Sequence, residues 1–477
     1  MSFAVYDIIL LFLFAVFVSI FLYSRKKNIR KEGLLILYKT SWGIKLINYV
    51  GKKYKKTLKI LGYFSITLGY LLMAVMIYLF GKIIYFYILF PQIVREIKVP
   101  PIMPLIPYLP AIFKLDFLPP FYFTYWIIIL AIVAVTHEFA HGIFAARDNI
   151  RIKTTGFGFF PFFLPVFLAA FVELDEKKMA KKSRYSQMSV LSAGTFTNLL
   201  TAGFFLIILG IFFSAMFIPS GVAFDTYAYS AVGISNISMI NGIPLENPNY
   251  EKILNSISDE GLNEIIAKGG KNYVATKELL ESQKNNNGYI ILYDDAPAVK
   301  KGLKGPIIKI NNVRITNSDI LKEELSKHFI GEEIKVTTKI DGEILTYDIA
   351  LEEHPEKPGE AWLGIGFVDK KSSGILGKVL IVISYFKKSN VYYEPKFDGA
   401  SIFFYDLLWW LVLISVSVAL INMLPVGIFD GGRFFYLAVL SLTKNEKMAR
   451  KFFAFSTYLI LFLLLLIMFF WAFSFFK

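Results

Sequence analysis

The chain of 477 residues contains no cysteine, which excludes disulfide bonds and thiolate metal sites. Histidine is scarce as well, with four in the whole sequence. A transition metal must therefore be bound through imidazole nitrogen or carboxylate oxygen. Charged residues make up only 18% of the chain, against 55% hydrophobic residues. This composition excludes an ordinary soluble protein and is typical of proteins that cross a membrane several times.

Acidic residues are fewer than basic ones, 37 against 51, and the formal net charge is +14. A basic surplus of this size can indicate nucleic-acid binding. Here, however, the lysines and arginines cluster beside apolar runs, as they do in the cytoplasmic loops of membrane proteins. We therefore expect the lipid bilayer, and no nucleic acid, as the partner of these charges.

Six apolar runs predict an α-helical membrane protein with about six transmembrane helices. The first run, Val5 to Tyr23, lacks the basic start and the cleavage site of a signal peptide, so we expect it to remain as an anchor. All basic clusters fall on one side of this arrangement, which predicts that side to be cytoplasmic. The runs lie near residues 4–23, 60–81, 121–146, 187–217, 402–424 and 453–475.

The runs divide the chain into four expected regions. Residues 1–120 would hold spans one and two, a basic cytoplasmic loop and a proline-rich outer loop. Residues 121–220 would form the core, with spans three and four. Residues 221–372 are polar and would lie outside the cytoplasm. Residues 373–477 would supply an interfacial segment and spans five and six.

Within the core region, residues 154–172 are apolar but interrupted by glycine and proline. Proline at this density does not allow a regular helix, so a re-entrant hairpin or a strand is predicted. Irregular backbone at membrane depth is tolerated only where it is buried in protein or lines a water-filled cavity. This segment is therefore expected to be buried in protein or to line such a cavity.

The polar region contains two similar stretches, which begin near Ala231 and Ala298 and end near Asn241 and Asn311. Their pattern is similar to that of protease-associated PDZ domains. The similarity implies an α+β insertion with a degenerate first copy at residues 221–286 and a fuller second copy at 287–370.

Domains of the PDZ type bind chain termini or extended peptides. By this similarity, Asn287-Gly288-Tyr289-Ile290 would form the loop and strand that hold a peptide carboxylate, with Gly288 and Tyr289 as its contacts. A peptide or chain terminus is therefore an expected partner. The alternative is a scaffold that packs on the membrane surface.

The most informative motif is His137-Glu138-Phe139-Ala140-His141, inside the third apolar run. Two histidines four residues apart lie on one face of a helix and can both bind zinc, and the glutamate between them can act as general base. Zinc makes a bound water acidic near neutral pH and so prepares it for attack on an amide. A chance histidine pair is the alternative, but it would leave two polar rings unsatisfied inside the membrane.

Two histidines leave a zinc ion short of a third protein ligand. The candidate is Asp430, which follows the fifth apolar run and precedes Gly431 and Gly432. Pro425 and Gly427 are expected to interrupt the helix, so that unwound backbone presents the carboxylate. The alternative is that Asp430 only caps the amino terminus of the next helix.

Three motifs together resemble those of the site-2 protease family of intramembrane zinc metalloproteases. They are H-E-x-x-H-G at 137–142, A-G-x-x-x-N at 193–198 and N-x-x-P-x-x-x-x-D-G-G at 422–432. The family usually has proline after the glycine of the second motif, where this chain has Thr195. It also has further proline before the aspartate, where residues 426–429 are Val-Gly-Ile-Phe. These differences concern local geometry and leave the ligands in place.

The resemblance implies that His137, His141 and Asp430 bind one zinc ion per chain and that Glu138 is the catalytic acid and base. The implied activity is regulated intramembrane proteolysis, the cleavage of transmembrane segments in membrane-protein substrates. The implied protein is a multi-pass hydrolase with its active site toward the cytoplasm. Its composition indicates the cell membrane of a prokaryote, with an archaeon as one source.

Two amides are given roles by the same resemblance. Asn198 would lie near the metal and hydrogen-bond the substrate backbone or the oxyanion, and Asn422 would act in the same way. For both, the alternative is a hydrogen bond that joins packed helices.

Two other classes of function remain as alternatives. A transporter would also use six spans and buried ionisable groups, and a PDZ-bearing membrane scaffold could keep a metal site without catalysis. Neither explains why Glu138 stands between the two histidines.

Overall fold

The protein is described by a computed structural model, which covers residues 3–32, 35–91, 100–115, 118–159, 168–283, 288–340, 342–368 and 384–473. The middle of the expected re-entrant segment, Asn287 of the expected peptide-binding loop and part of the expected interfacial segment lie outside the described residues. The chain forms two compact units. One comprises Met1–Leu209 and Phe403–Lys477, and the other comprises Gly210–Ile402.

The expected six long apolar helices are confirmed within the described ranges, and each is long enough to cross a membrane. The second is longer than the predicted 60–81, because the lysine-rich residues before it and residues 82–89 after it continue the helix. The six are α1 (Phe3–Ser24), α3 (Lys55–Leu89), α5 (Phe123–Arg147), α7 (Arg184–Met216), α12 (Asp398–Asn422) and α14 (Glu446–Phe473). Shorter helices in the first unit are α2 (Ile44–Lys53), α4 (Leu109–Ile112), α6 (Glu176–Ala180) and α13 (Asp430–Thr443).

Helix α5 carries the histidine motif, and its position depends on a side chain from α1. The first N–H groups of a helix have no partner within the helix. Tyr122, at the cap position of α5, provides no side-chain hydrogen bond. Instead, Asp7 of α1 accepts from the N–H of Phe123 at 2.7 Å and from the N–H of Thr124 at 2.9 Å. The carboxylate is 1% exposed, so α1 caps α5 inside the protein.

A small antiparallel sheet lies in the same unit, with the strand order β1-β2-β3-β4. Its strands are β1 (Ile29–Glu32), β2 (Leu35–Thr40), β3 (Ile152–Phe159) and β4 (Leu168–Leu174). Strands β3 and β4 flank residues 160–167, which lie outside the described residues, so the re-entrant hairpin remains a prediction. Strand β4 is the edge of the sheet and packs against α5.

The second unit is rich in strands. One sheet has the order β7-β12-β11-β10-β8-β9, and another has the order β16-β15-β13-β5-β20 with β14 beside β13. Two short ladders pair β17 with β18 and β19 with β6. The strands are β5 (Phe217–Val222), β6 (Thr226–Tyr227), β7 (Tyr229–Gly233), β8 (Ile237–Ile240), β9 (Ile243–Pro244), β10 (Asn263–Ala267), β11 (Asn272–Ala275), β12 (Tyr289–Asp294), β13 (Ile307–Ile310), β14 (Val313–Arg314), β15 (Glu333–Ile340), β16 (Glu343–Ala350), β17 (Glu352–His354), β18 (Lys357–Trp362), β19 (Ile365–Gly366) and β20 (Val391–Pro395). The helices are α8 (Tyr250–Asn255), α9 (Lys277–Glu281), α10 (Pro297–Lys300) and α11 (Ser318–Leu325).

The two similar sequence stretches end in hairpins of the same kind. β8 and β9 are joined at Asn241, and β13 and β14 are joined at Asn311, with φ of 50° and 48° at the two asparagines. Each side-chain oxygen accepts a hydrogen bond from the next strand, at 3.0 Å from the N–H of Glu264 and at 2.9 Å from the N–H of Lys335. The first sheet extends to Asp294 through β12, beyond the expected boundary at residue 286.

Candidate metal centre

The two motif histidines lie one turn apart on α5 and both face the interior. The two residues, His137 and His141, are 7% and 8% exposed. Their Nε2 atoms are 3.1 Å apart. Helical spacing alone therefore brings two ligand atoms together.

Asp430 reaches the same point from the other end of the sequence. Helix α12 ends at Asn422, a series of turns follows, and Asp430 is the first residue of α13. Its Oδ2 lies 3.3 Å from His137 Nε2 and 3.1 Å from His141 Nε2. The position that would cap α13 is held by Phe429, so the carboxylate contacts the histidines instead.

The two glycines after Asp430 allow the chain to fold back on itself. A Cβ at Gly431 would lie 2.4 Å from the carbonyl carbon of Met423, and a Cβ at Gly432 would lie 2.4 Å from the Val426 oxygen. Only glycine fits such a close backbone approach. The D-G-G sequence thus presents the carboxylate at the start of α13.

The three ligand atoms fit a tetrahedral metal ion. Their separations of 3.1 to 3.3 Å match the roughly 3.3 Å between ligands bonded at about 2.0–2.1 Å. Gly194 of α7 leaves the space for an ion, because a Cβ there would lie 2.5 Å from His141 Nε2 and 2.6 Å from His137 Nε2. His137, His141 and Asp430 could therefore hold a metal ion.

Helix α7 also contacts the far side of both imidazole rings. The Val190 carbonyl lies 2.7 Å from His141 Nδ1, and the Asn198 amide lies 2.9 Å from His137 Nδ1. Contacts of this kind fix ring orientation in metal sites. The sequence did not single out Val190, because a backbone carbonyl leaves no signal in the residue type.

Glu138 lies beside the ligands and is fixed by the edge strand. Its Oε2 accepts a hydrogen bond of 2.9 Å from the N–H of Val172 in β4. A backbone N–H that points away from its own sheet is normally unpaired in an edge strand. The glutamate therefore connects the metal centre to the strand that borders it.

Two cavities reach the centre, and Glu138 and Asp430 line both of them. One cavity, of about 320 Å³, is mainly apolar and also contains Asn422. Its apolar walls include Leu105, Leu130, Val133, Ala134, Ile414 and Val418. The other, of about 880 Å³, has charged walls that include Lys153, Glu173, Glu176 and Arg433. The centre thus has one apolar approach and one polar approach.

The polar cavity has its own ion pairs. Glu173 of β4 lies 3.0 Å from the Lys39 ammonium and 3.3 Å from that of Lys153. Partial burial acts to raise the pKa of Glu173, but hydrogen bonds from Lys39, Thr154 and Lys153 outweigh it and hold the pKa below its usual value. Glu173 is therefore charged at neutral pH.

The other site residues that the sequence predicted lie in different parts of the structure. Asn422 lines the apolar cavity, as a substrate contact would. Asn198 is fully buried against His137, and the described lining of both cavities does not include it. Gly288 and Tyr289 belong to the second unit, where Tyr289 starts β12 and pairs with Gly233.

Sequence reasoning missed Asp7. It caps α5, the helix that carries both histidines. Its signal was available, because a carboxylate inside an apolar run is costly unless it has partners.

The model of peptidase family M50, the site-2 protease family, matches residues 125–467, well over half of the chain. No curated protein matches the chain significantly. The matched range includes every residue of the metal centre, from the helix of the two histidines to Asp430. The chain belongs to peptidase family M50.

Proposed function

We propose that the protein is an intramembrane zinc metalloprotease that cleaves transmembrane segments of membrane proteins. The observation that carries this proposal is the triangle of candidate ligand atoms from His137, His141 and Asp430, with both histidines in the C-terminal half of an apolar helix of 25 residues. A soluble protease has no need to build such a site on a membrane-length helix. Membership of family M50 supports the same activity.

The two histidines and Asp430 would hold one zinc ion per chain. Two imidazole nitrogens and one carboxylate oxygen are a common zinc set that leaves the fourth position open for catalysis. Zinc would act as a Lewis acid that polarises the scissile carbonyl and makes water a nucleophile near neutral pH.

Glu138 is the proposed general base. One of its oxygens is engaged by the Val172 N–H, so the other remains available for a proton. It would take a proton from water and deliver it to the nitrogen of the leaving amine. The polar cavity supports this role, because Glu138 lines it and water can enter there.

The apolar cavity is the proposed place of the substrate. A transmembrane helix must unwind before its amide is accessible, and the released N–H and C=O groups then need partners. Strand β4 is an edge strand, and its Ala169 and Ala170 line the cavity. We propose that an extended substrate pairs with β4 by strand addition, with Asn422 as a further hydrogen-bond partner.

The expected topology belongs to the same proposal. The active site would lie toward the cytoplasm of a prokaryotic cell, and residues 221–372 would lie outside. There the PDZ-like region would bind a peptide or chain terminus, with Gly288 and Tyr289 as candidate contacts, or serve as a scaffold. Binding of a peptide to the purified protein, lost in Tyr289→Ala, would separate these two roles.

The experiment that tests the activity is cleavage of a model transmembrane substrate by reconstituted protein. Glu138→Gln keeps the side-chain shape but cannot accept the proton. We expect cleavage to fall by about 10²- to 10⁴-fold, with metal content unchanged. A Glu138→Gln protein that cleaves at the wild-type rate would contradict the role of Glu138 as general base, whereas a wild-type protein that cleaves no transmembrane substrate would favour a non-enzymatic role.

A further inference from the structure

Three residues of α7 form a stripe along the two motif histidines. Val190, Gly194 and Asn198 are each four residues apart, which places them on one face of the helix. Val190 contacts His141, Gly194 lies beside the Nε2 atoms of both rings, and Asn198 contacts His137. The two ligand rings are thus held from one helix, each at its Nδ1 atom.

The two Nδ1 contacts differ in chemistry. The partner of His141 is the Val190 carbonyl, which can only accept a hydrogen bond. The atom of Asn198 next to His137 Nδ1 is Nδ2, an amide nitrogen that can only donate. Asn198 Oδ1 is buried and has no hydrogen-bond partner among the described residues.

If His137 binds a metal, the protonation of its ring determines which atom of the Asn198 amide, Oδ1 or Nδ2, must face Nδ1. When Nε2 of a neutral imidazole binds a metal, the ring proton is on Nδ1, and that N–H needs an acceptor. A rotation of the amide by half a turn exchanges Nδ2 and Oδ1. After this rotation, Asn198 Oδ1 accepts a hydrogen bond from His137 Nδ1–H. The ring N–H then has an acceptor, and the buried oxygen has a partner.

We infer that Asn198 is a positioning residue, which accepts a hydrogen bond from His137 Nδ1–H through Oδ1 and holds the ring in the orientation that binds the metal. The inference rests on the proposed function, since it requires a metal at Nε2. Asn198 would do for His137 what the Val190 carbonyl does for His141.

The other two roles for Asn198 have less support. A substrate contact must be reachable, but Asn198 is 0% exposed and neither described cavity lining includes it. The contact also joins helix α7 to helix α5, but its partner is the ring of a proposed metal ligand, so removing the amide should change metal binding as well as helix packing.

The test is the metal affinity of purified full-length variants, measured by competition with a zinc chelator. Asn198→Leu keeps the volume but removes the acceptor, and we expect zinc affinity to fall by about 10- to 100-fold. Asn198→Asp keeps an acceptor oxygen, so its affinity should stay within about threefold of the wild type. Thr195→Val is the control, because Thr195 is equally buried on α7 but bonds its own helix, and it should bind as the wild type does.

Absorption of the cobalt(II)-loaded proteins gives a second readout, since a tilted ring changes the ligand field. The spectrum should change in Asn198→Leu and remain in Thr195→Val. If the leucine variant does not fold, Asn198→Ala replaces it, because it removes the acceptor without adding bulk.

An Asn198→Leu protein with wild-type zinc affinity and an unchanged cobalt spectrum would overturn the positioning role. A raised KM in both Asn198 variants at unchanged metal affinity would also overturn it and assign the amide to the substrate. Neither result would affect the proposed protease activity. A wild-type protein that binds no zinc would instead defeat the proposed function itself.

Discussion

The side chain of Gly194 is a single hydrogen atom, which leaves space for a metal ion beside His137 and His141. A methyl group at this position would lie 2.5 Å from both His137 Cε1 and His141 Nε2. Both contacts are shorter than real Cβ atoms make, so one ring or the helix must move. The motif A-G-x-x-x-N thus contributes a space as well as an amide.

Gly194→Ala should therefore lower metal affinity by at least about tenfold, because the added Cβ displaces the ligand rings. Gly203→Ala on the same helix is the control, since nothing lies within 4 Å of its added Cβ. Chelator competition on both proteins measures the difference. Equal zinc affinity in the two variants would contradict the proposed position of the ion.

At the residue scale, the sequence predicted the groups with a strong chemical signature. The spacing of His137 and His141 and the glycines after Asp430 indicated three candidate ligands, and the structure brings their ligand atoms together. The contacts of Asn198 and Val190 could not be predicted, because they depend on how α7 packs against α5. An amide or a carbonyl in an apolar run is compatible with many partners until that packing is known.

At the scale of elements, a neighbouring helix caps α5 at its N-terminal end. Asp7 is removed from solvent and satisfies two backbone N–H groups at the start of α5. Loss of this cap leaves buried donors without a partner.

Asp7→Ala should thus lower the free energy of unfolding by roughly 1–3 kcal/mol. The measurement is thermal or denaturant unfolding of the protein in one detergent. Asp259→Ala serves as the control because the Asp259 side chain is 80% exposed, and it should change stability by less than about 0.5 kcal/mol. Equal stability of the two variants would show that Asp7 does not cap α5.

The open edge of strand β4 carries backbone N–H groups that do not bond β3. The Val172 N–H points to Glu138, away from β3. Backbone groups alternate along a strand, so the Ala170 N–H faces the same open edge, where the substrate is proposed to pair.

Ala170→Pro removes that N–H without removing a bond to β3, and an edge strand tolerates proline at such a position. Cleavage of a transmembrane substrate should fall by at least about tenfold, while zinc content stays constant. Ala170→Val keeps the N–H and should retain most activity. Full activity of the proline variant would argue against strand addition.

The long helices could be predicted because each is a local pattern of apolar residues. The small sheet could not, since it pairs distant parts of the chain. Tyr38 is opposite Phe157 in the ladder of β2 and β3, and no local feature of either segment specifies this partner. In the second unit, the similarity of the two stretches that end near Asn241 and Asn311 could be recognised from the sequence because each stretch is local.

At the scale of the whole molecule, the candidate metal centre joins segments that are nearly 300 residues apart in sequence. His137 and His141 come from α5, Asp430 comes from the start of α13, and α7 contributes the surface between them. No fragment of the chain that lacks one of these helices contains the complete site. Metal binding should therefore depend on the folded membrane unit.

The central claim is tested most directly by the metal content of purified protein. The wild-type chain and Glu138→Gln should each contain about one zinc ion, and Asp430→Ala should lose it, because two histidines alone hold the ion weakly. Asp259→Ala is the matched carboxylate control and should keep its zinc. Full zinc content in Asp430→Ala, or none in the wild type, would contradict the account.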